Sequence, residues 1–374
     1  IDSTAQLLEH LGIAVERDGE TLTVHAAECE HPEAPYDIVR KMRASILCLG
    51  PLLARYGRAR VSLPGGCAIG SRPINLHIEA LEQMGAEIDI ENGYVVARAD
   101  HLRGARLVFE NATVGGTENV MLAATLAHGT TVIENAAKEP EIIDLADCLV
   151  KMGARIDGAG SSVITIEGVD QLRPCDHRVI PDRIEAGTLL IAGAITGGDV
   201  RVNHCVPGHI DALTQRMAEC GFRIDTGSDW VRVLPCDGWR AHDISTTPYP
   251  GFPTDLQAQY MALMTLADGT SVITERIFEN RFMHVQELVR MGANITRKTQ
   301  VAIVRGQPGV LNGAQVMATD LRASASLVLA GLAARGETTV SRIYHLDRGY
   351  ERLEAKLERL GARIERRPGE PQAA

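Results

Sequence analysis

The chain has 374 residues, more than one ordinary hydrophobic core accommodates, so length alone favours two domains. Hydrophobic residues make up 45 % and charged residues 23 %, the balance of a soluble globular protein, and no run of about eighteen apolar residues exists to span a membrane. A net charge of −10 and an aromatic content of only 4 % argue against broad binding to nucleic acid or anionic membrane, yet leave room for a small anionic substrate held by a local arginine cluster.

In chain order, one short pattern recurs six times: "LEHLGIAVE", "LEQMGAEID", "LVKMGARID", "MAECGFRID", "LVRMGANIT" and "LERLGARIE". Its pivot glycines are Gly12, Gly85, Gly153, Gly221, Gly292 and Gly361, spaced 73, 68, 68, 71 and 69 residues apart. Apolar residues at helical spacing precede each pivot, and glycine then permits the left-handed cap that ends a helix. An alternating strand, a polar turn and a second strand follow, as in "GYVVARA", "SVITIEG", "DWVRVLP" and "VAIVRG". Between pivots lies a second helix–Gly–strand piece, such as "NVMLAATLAHGTTVIEN" or "LQAQYMALMTLADGTSVITE", with its glycine at Gly57, Gly129, Gly197 or Gly198, Gly269 and Gly336. These helices are apolar nearly all round, which places them in a core.

The unit is therefore two helices and about four strands over about 70 residues, and six units divide as three plus three. Periodicity lapses near "RPCDHRVIPDR", so the expected domains are 1–180 and 181–374. Gly12 alone has no apolar helix–Gly–strand piece before it, and the repeat predicts that roughly 45 residues of the first unit are missing from this N-terminus.

Eight cysteines are scattered, none in C-x-x-C and none at zinc spacing with histidine. The reading is a reduced, cytoplasmic protein with no metal and no cofactor. One thiol stands apart. Cys67 lies in "LPGGCAIGSRP", between a strand and a helix, beside Gly65, Gly66, Gly70 and Arg72. Glycines allow close approach of a ligand, and a guanidinium and a helix start favour the thiolate.

Polar and charged residues also gather at other strand-to-helix junctions: "KMRAS" with Arg43, "PDRIEAGT" with Asp182, "FPTDLQAQ" with Asp255, "FENRFMHV" with Arg281 and His284, "TDLRASAS" with Asp320 and Arg322, and "DRGYERL" with Arg348. Asp182, Asp255 and Asp320 each precede a helix, where an N-cap is the simple role. Arginines at helix starts are electrostatically misplaced unless an anion sits between them and the helix amides. His77 shares a helix face with Leu81 and Met84, which suits a structural or supporting role. No phosphate-loop, dinucleotide or serine-hydrolase motif is present.

Along its whole length the chain resembles the bacterial enolpyruvyl transferases that act on UDP-N-acetylglucosamine. "LPGGCAIGSRPINLH", "FPTDLQAQ", "FENRFMHV", "QVMATDLRASASLVLAG" and "YHLDRGYERLEAKL" carry the resemblance. It implies an α/β fold, the two-domain inside-out α/β barrel of six βαβαββ units, here with the first incomplete. It implies transfer of the enolpyruvyl group of phosphoenolpyruvate to the 3′-hydroxyl of UDP-N-acetylglucosamine, with release of phosphate. Cys67 matches the thiol that protonates, and can covalently hold, phosphoenolpyruvate. Asp255 matches the carboxylate that takes the sugar hydroxyl proton. Arg43, the run Arg72, Pro73, Ile74, Asn75 and Leu76, the run Asn111, Ala112, Thr113 and Val114, and Ile277 match nucleotide-sugar contacts. Arg281 is counted with the substrate-binding residues. Arg322 and Arg348 match arginines around phosphoenolpyruvate, and Asp320 matches the acid of the same loop. The partners implied are these two small molecules, with no nucleic acid and no membrane. In two places the chain departs from the pattern: it begins after the family's N-terminal Lys-Asn pair, and Asn111 stands where many relatives have lysine. A transferase acting on shikimate 3-phosphate, and a non-catalytic sugar-nucleotide binder, are the alternatives; the "PGGC" loop speaks against the first and intact Cys67, Asp255, Arg322 and Arg348 against the second.

Overall fold

Each pivot glycine leaves its helix in the left-handed region, with φ between 85° at Gly12 and 109° at Gly221. Any residue with a β-carbon would be strained there, and the chain turns from helix to strand within about two residues. The second glycine set does the same at Gly57, Gly129, Gly197, Gly269 and Gly336; of the Gly197–Gly198 pair, Gly197 is the left-handed one. Among the described residues, strands follow five of the six pivots, beginning at Ala14, Glu87, Arg155, Ile224 and Asn294.

The structure is a computed structural model that describes residues 1–40, 42–64, 69–70 and 74–367. The chain divides into two units, one of Ile1–Cys67 and Ser71–Ile180, the other of Ala68–Gly70 and Pro181–Ala374. Among the described residues, three four-stranded sheets repeat one topology. Glu33–Ala34 pairs parallel with Arg58–Ser62, which pairs antiparallel with Tyr94–Arg98, which pairs antiparallel with Glu87–Glu91. Arg106–Val108, Thr130–Glu134, Val163–Glu167 and Arg155–Asp157 repeat that order, as do Ile244–Ser245, Gly269–Thr274, Val301–Gly306 and Asn294–Lys298. Each is a βαβ crossover closed by a β-hairpin, the unit read from the glycine spacing. Among the described residues the remaining sheets are smaller: Ala14–Asp18 with Thr21–His25, a three-stranded sheet around Trp230–Val233, and Gln315–Met317 with Thr339–Ser341.

Five inner helices cross between the parallel strands or start a unit. They are α1 (Leu49–Tyr56), α2 (Val114–Ala124), α3 (Arg183–Ile195), α4 (Gln257–Met264) and α5 (Leu321–Ala333). Every residue of α4 is buried, and so are Ala323 to Ala330 of α5. The outer helices bury one stripe only: Pro140–Lys151 buries Pro140, Ile142, Ala146 and Leu149. Each unit has its own apolar core, built around α1 and α2 in the first and around α3, α4 and α5 in the second. Tight packing sets the approach to α4. A β-carbon on Gly187 of α3 would stand 2.7 Å from Leu256 Cδ1, so glycine there lets α3 lie against the turn that holds Asp255.

Residues 171–182, where the periodicity lapses, form neither helix nor strand. Alternate residues of this segment are fastened to one face of helix Pro140–Lys151 and its end. The Arg173 amide donates to Met152 O at 2.8 Å, Cys175 Sγ lies 3.9 Å from Cys148 O, and His177 Nε2 lies 2.9 Å from Asp144 Oδ1. Positions 144, 148 and 152 share a helix face, and extended residues two apart face the same way. Among the described residues no helix is long and apolar enough to cross a membrane.

Candidate active site

The second unit gathers its chemistry at the N-terminal ends of α3, α4 and α5, all three approached by an aspartate. Asp182 and Asp320 cap their helices. Asp182 accepts from the amides of Ile184 and Glu185 at 2.8 and 3.0 Å, and Asp320 from those of Arg322 and Ala323 at 2.9 and 3.0 Å. Asp255 is different and corrects the simple cap expectation. It sits in the 3-10 turn Thr254–Leu256, and its carboxylate turns to two arginines instead. Arg281 Nη2 donates to Oδ1 at 2.6 Å, and Arg322 Nη2 donates to Oδ2 at 3.0 Å. The arginine side chains are only 7 % and 12 % exposed, while that of Asp255 is 37 % exposed.

Burial would raise the pKa of Asp255, but the charges of Arg322 and Arg281 and their hydrogen bonds outweigh it, and the carboxyl is held well below the usual carboxylate range. Burial pulls Arg322 the other way from its partner, and Asp255 prevails, keeping the guanidinium firmly charged. Arg322 spends one donor on Asp255 and lies 5.3 Å from the Tyr350 ring centroid, and its buried Nη1 makes no hydrogen bond among the described residues. A buried cationic donor left open next to a carboxylate is a place for an incoming anion or polar group.

Beneath these groups lies a buried polar network. Gln259 Nε2, with two hydrogens to give, lies within hydrogen-bond reach of the Asp255 carbonyl at 3.0 Å, Tyr350 Oη at 3.1 Å and Thr188 Oγ1 at 3.2 Å, and Tyr350 Oη lies 2.9 Å from Thr188 Oγ1. It ties the Asp255 turn to α3 and to the residue two beyond Arg348. Arg348 ends the 3-10 turn Ile343–Arg348, so it does not stand at a helix start as its motif suggested. It lies close enough to His345 to lower that imidazole's pKa together with burial, which is the larger cause, and Asp320 opposes the shift from nearby. Arg281 also donates from Nη1 to Thr254 Oγ1 at 2.9 Å. Ile277 lies in the turn just after strand Gly269–Thr274 and its side chain is partly exposed. His284 is buried and pushed down to about 4 by burial, with Asp320 opposing and Arg281 and Arg297 reinforcing, so it is neutral at pH 7.

In the first unit, helix Asn75–Gln83 and the start of α2 meet at His77. Ile74 precedes helix Asn75–Gln83, which carries Asn75, Leu76 and buried His77. Asn119 of α2 donates from Nδ2 to His77 Nδ1 at 3.0 Å and accepts the Gly50 amide at 2.7 Å, which makes the other imidazole nitrogen the protonated one. Burial, then the charge of Arg43, pushes His77 down to about 4. A β-carbon on Gly115 would meet the His77 ring at 3.3 Å, so the first turn of α2 lies against it. Thr113 caps that turn, accepting from the Gly116 amide at 3.2 Å, with Asn111 and Val114 on either side. Cys67, Arg72 and Pro73 lie outside the described residues. Sequence reading passed over Thr188, Gln259, Tyr350, Asn119 and Glu275; polar residues inside otherwise apolar inner helices were the available signal for three of them.

By sequence and fold together the chain is a carboxyvinyltransferase. The sequence profile of EPSP synthase (3-phosphoshikimate 1-carboxyvinyltransferase) matches residues 1–357. Among solved structures, the enolpyruvyl transferase NikO from Streptomyces tendae is similar with a TM-score of 0.86 and 28 % identity, covering 96 % of this chain and 86 % of that one. EPSP synthase from Acinetobacter baumannii shares the fold with a TM-score of 0.72 at 19 % identity, covering 97 % and 88 %. A UDP-N-acetylglucosamine 1-carboxyvinyltransferase from Bdellovibrio bacteriovorus is 64 % identical over 366 residues, 98 % of this chain and 88 % of that protein, and one from Geotalea daltonii is 58 % identical over the same shares. The chain belongs to the UDP-N-acetylglucosamine 1-carboxyvinyltransferase family.

Proposed function

We propose that the chain transfers the enolpyruvyl group of phosphoenolpyruvate to the 3′-hydroxyl of UDP-N-acetylglucosamine. The observation that carries this reading is the Asp255 carboxylate held between Arg281 and Arg322, with Arg322 Nη1 buried and making no hydrogen bond among the described residues. Addition to an enol phosphate needs an acid at the methylene carbon and a base at the incoming hydroxyl. Cys67 gives its proton to C3, the sugar oxygen bonds to C2, and Asp255 takes the hydroxyl proton. The Cys67 thiolate then takes a proton back from C3 and the double bond is restored as the C2–O bond to phosphate breaks, the departing phosphate accepting the proton held by Asp255. Positive charge developing at C2 is offset by the carboxylates, while Arg322 and Arg348 hold the anionic groups of phosphoenolpyruvate.

A carboxylate clamped by two arginines is a weak base. An arriving phosphate competes for those guanidinium donors, Asp255 loses part of its cationic hold, and its basicity rises only when the donor substrate is present. Asp320 supports this indirectly by capping the turn that carries Arg322. Arg43, Arg72, Pro73, Ile74, Asn75, Leu76, Asn111, Thr113, Val114 and Ile277 contact the nucleotide sugar. The reaction is the first committed step of peptidoglycan synthesis in the cytoplasm, serving cell-wall biogenesis, cell shape and division, and Cys67 is the nucleophile that fosfomycin alkylates. Phosphate release from phosphoenolpyruvate, measured with and without UDP-N-acetylglucosamine, tests the assignment. Release that depends on the sugar nucleotide is expected; release driven by shikimate 3-phosphate instead, or by neither acceptor, overturns it.

A further inference from the structure

We infer that Glu275 is a positioning residue for the reaction: its buried carboxylate orients the Thr254 hydroxyl, and Thr254 in turn presents Arg281 to Asp255. The inference rests on Asp255 acting at the reaction centre as proposed above.

Glu275 follows strand Gly269–Thr274 and is fully buried. Among the described residues, no cation is a hydrogen-bond partner of Glu275. Oε1 accepts from Thr246 Oγ1 at 2.8 Å and from the amides of Ile277 and Phe278 at 2.9 and 3.1 Å. Oε2 accepts from Thr254 Oγ1 at 2.9 Å. Burying a carboxylate without a direct cationic partner is expensive, and a position that only filled space would be served by an amide or an apolar side chain. What a carboxylate supplies, and an amide cannot, is two faces that only accept.

That polarity propagates. Thr254 has one hydroxyl proton, and Glu275 takes it, so the lone pairs of Oγ1 are left facing Arg281 Nη1 at 2.9 Å. Arg281 is then fixed with Nη2 on Asp255 Oδ1. Thr246 is set in the same sense, donating to Glu275 and accepting from the Arg276 amide at 2.9 Å. Three chain segments meet on one carboxylate: the strand end at Thr246, the Thr254–Leu256 turn that bears Asp255, and the 276–278 turn that bears Ile277. With an amide at 275, an N–H facing Thr254 and the N–H of Arg281 would compete for one oxygen, and the threonine proton would lose its acceptor.

The test uses Glu275→Gln, Thr254→Val and the double variant, with steady-state kinetics across pH and circular dichroism to confirm folding. Each single variant is expected to lower kcat by about tenfold with little change in the KM for either substrate, as loss of an outer orienting partner does. The double variant is expected to lose about tenfold as well, because both changes cut one relay. In all three, the acid limb of the kcat–pH profile moves to higher pH, since Asp255 loses part of the hold of Arg281; a merely structural role would leave that limb in place. If Glu275→Gln does not fold, the isosteric Thr254→Val carries the test alone. Activity within about twofold of wild type with an unmoved acid limb, or single effects that multiply to about a hundredfold, overturns the inference. Asp255→Asn separates the two readings. Its inactivity alongside a wild-type-like Thr254→Val sinks only the positioning role, whereas its full activity sinks the role of Asp255 and this inference with it.

Discussion

Replacing Asp255 with alanine strands two cations at once. Arg281 loses its 2.6 Å partner and Arg322 its 3.0 Å partner, and both guanidiniums remain almost wholly buried. Breaking a buried ion pair typically costs about 3–5 kcal/mol, but Asp255 is 37 % exposed and solvent screens part of the interaction, so about 2–3 kcal/mol is the appropriate scale. For a unit of this size that lowers the Tm by about 5–10 °C at pH 7. The pH dependence has a definite sign. The folded-state pKa of Asp255 lies below its unfolded value, so its contribution is complete above about pH 4 and is lost as pH falls through the folded pKa. Thermal melts of wild type and Asp255→Ala should therefore differ by a constant amount from pH 5 to 8 and converge only in strong acid. Turnover should fall by at least about a hundredfold while UDP-N-acetylglucosamine binding, measured by calorimetry, changes by only a few fold. A variant that melts with wild type, or one that turns over near the wild-type rate, would refute the reasoning from the arginine clamp.

Two further outcomes are expected. Cys67→Asp keeps an acid at that position but lacks the nucleophile, so it should turn over while resisting fosfomycin; equal inactivation of the two proteins would remove Cys67 from its role. Glu118 on α2 has its pKa pushed up to about 7, first by burial and then by Glu141 and Glu139. Its folded pKa lies above the unfolded value, so the stability it costs is absent below about pH 4 and complete above about pH 7. Glu118→Gln should therefore melt higher than wild type at pH 8, by an increment on the order of 1–3 kcal/mol, and match it at pH 4; a deficit at pH 8 would show that the carboxylate has a compensating partner.

The glycine pivots made most of the architecture legible, because a left-handed backbone turn has a residue requirement that composition cannot hide. The apolar inner helices were equally plain, since a helix buried on all sides has no polar face to display. The opening strands of each sheet were not. Glu33–Ala34 and Ile244–Ser245 are too short to show an alternation, and only their parallel partners define them. At the site, aspartates at helix starts were visible, but which of them caps and which turns to arginine depends on residues 26 and 67 positions away. The network of Thr188, Gln259 and Tyr350 spans as many as 162 residues, so the polar positions inside α3 and α4 were visible but not the partners they meet. Glu275 follows an ordinary strand, and nothing in "SVITER" distinguishes it from a glutamate facing water.

The burial of α4 on every side has a kinetic consequence. Each of its backbone amides is inside a helix, and no face of that helix meets solvent. Local fraying cannot expose them, so deuterium reaches Met261 to Met264 only when the second unit opens as a whole, and their exchange rates should converge on one value that reports its global unfolding free energy. The hairpin Ala14–His25, with nearly every residue exposed, stands at the opposite extreme and should exchange early, without waiting for any core to open. A single exchange time course would thus separate a clock set by global opening from one set by local fluctuation.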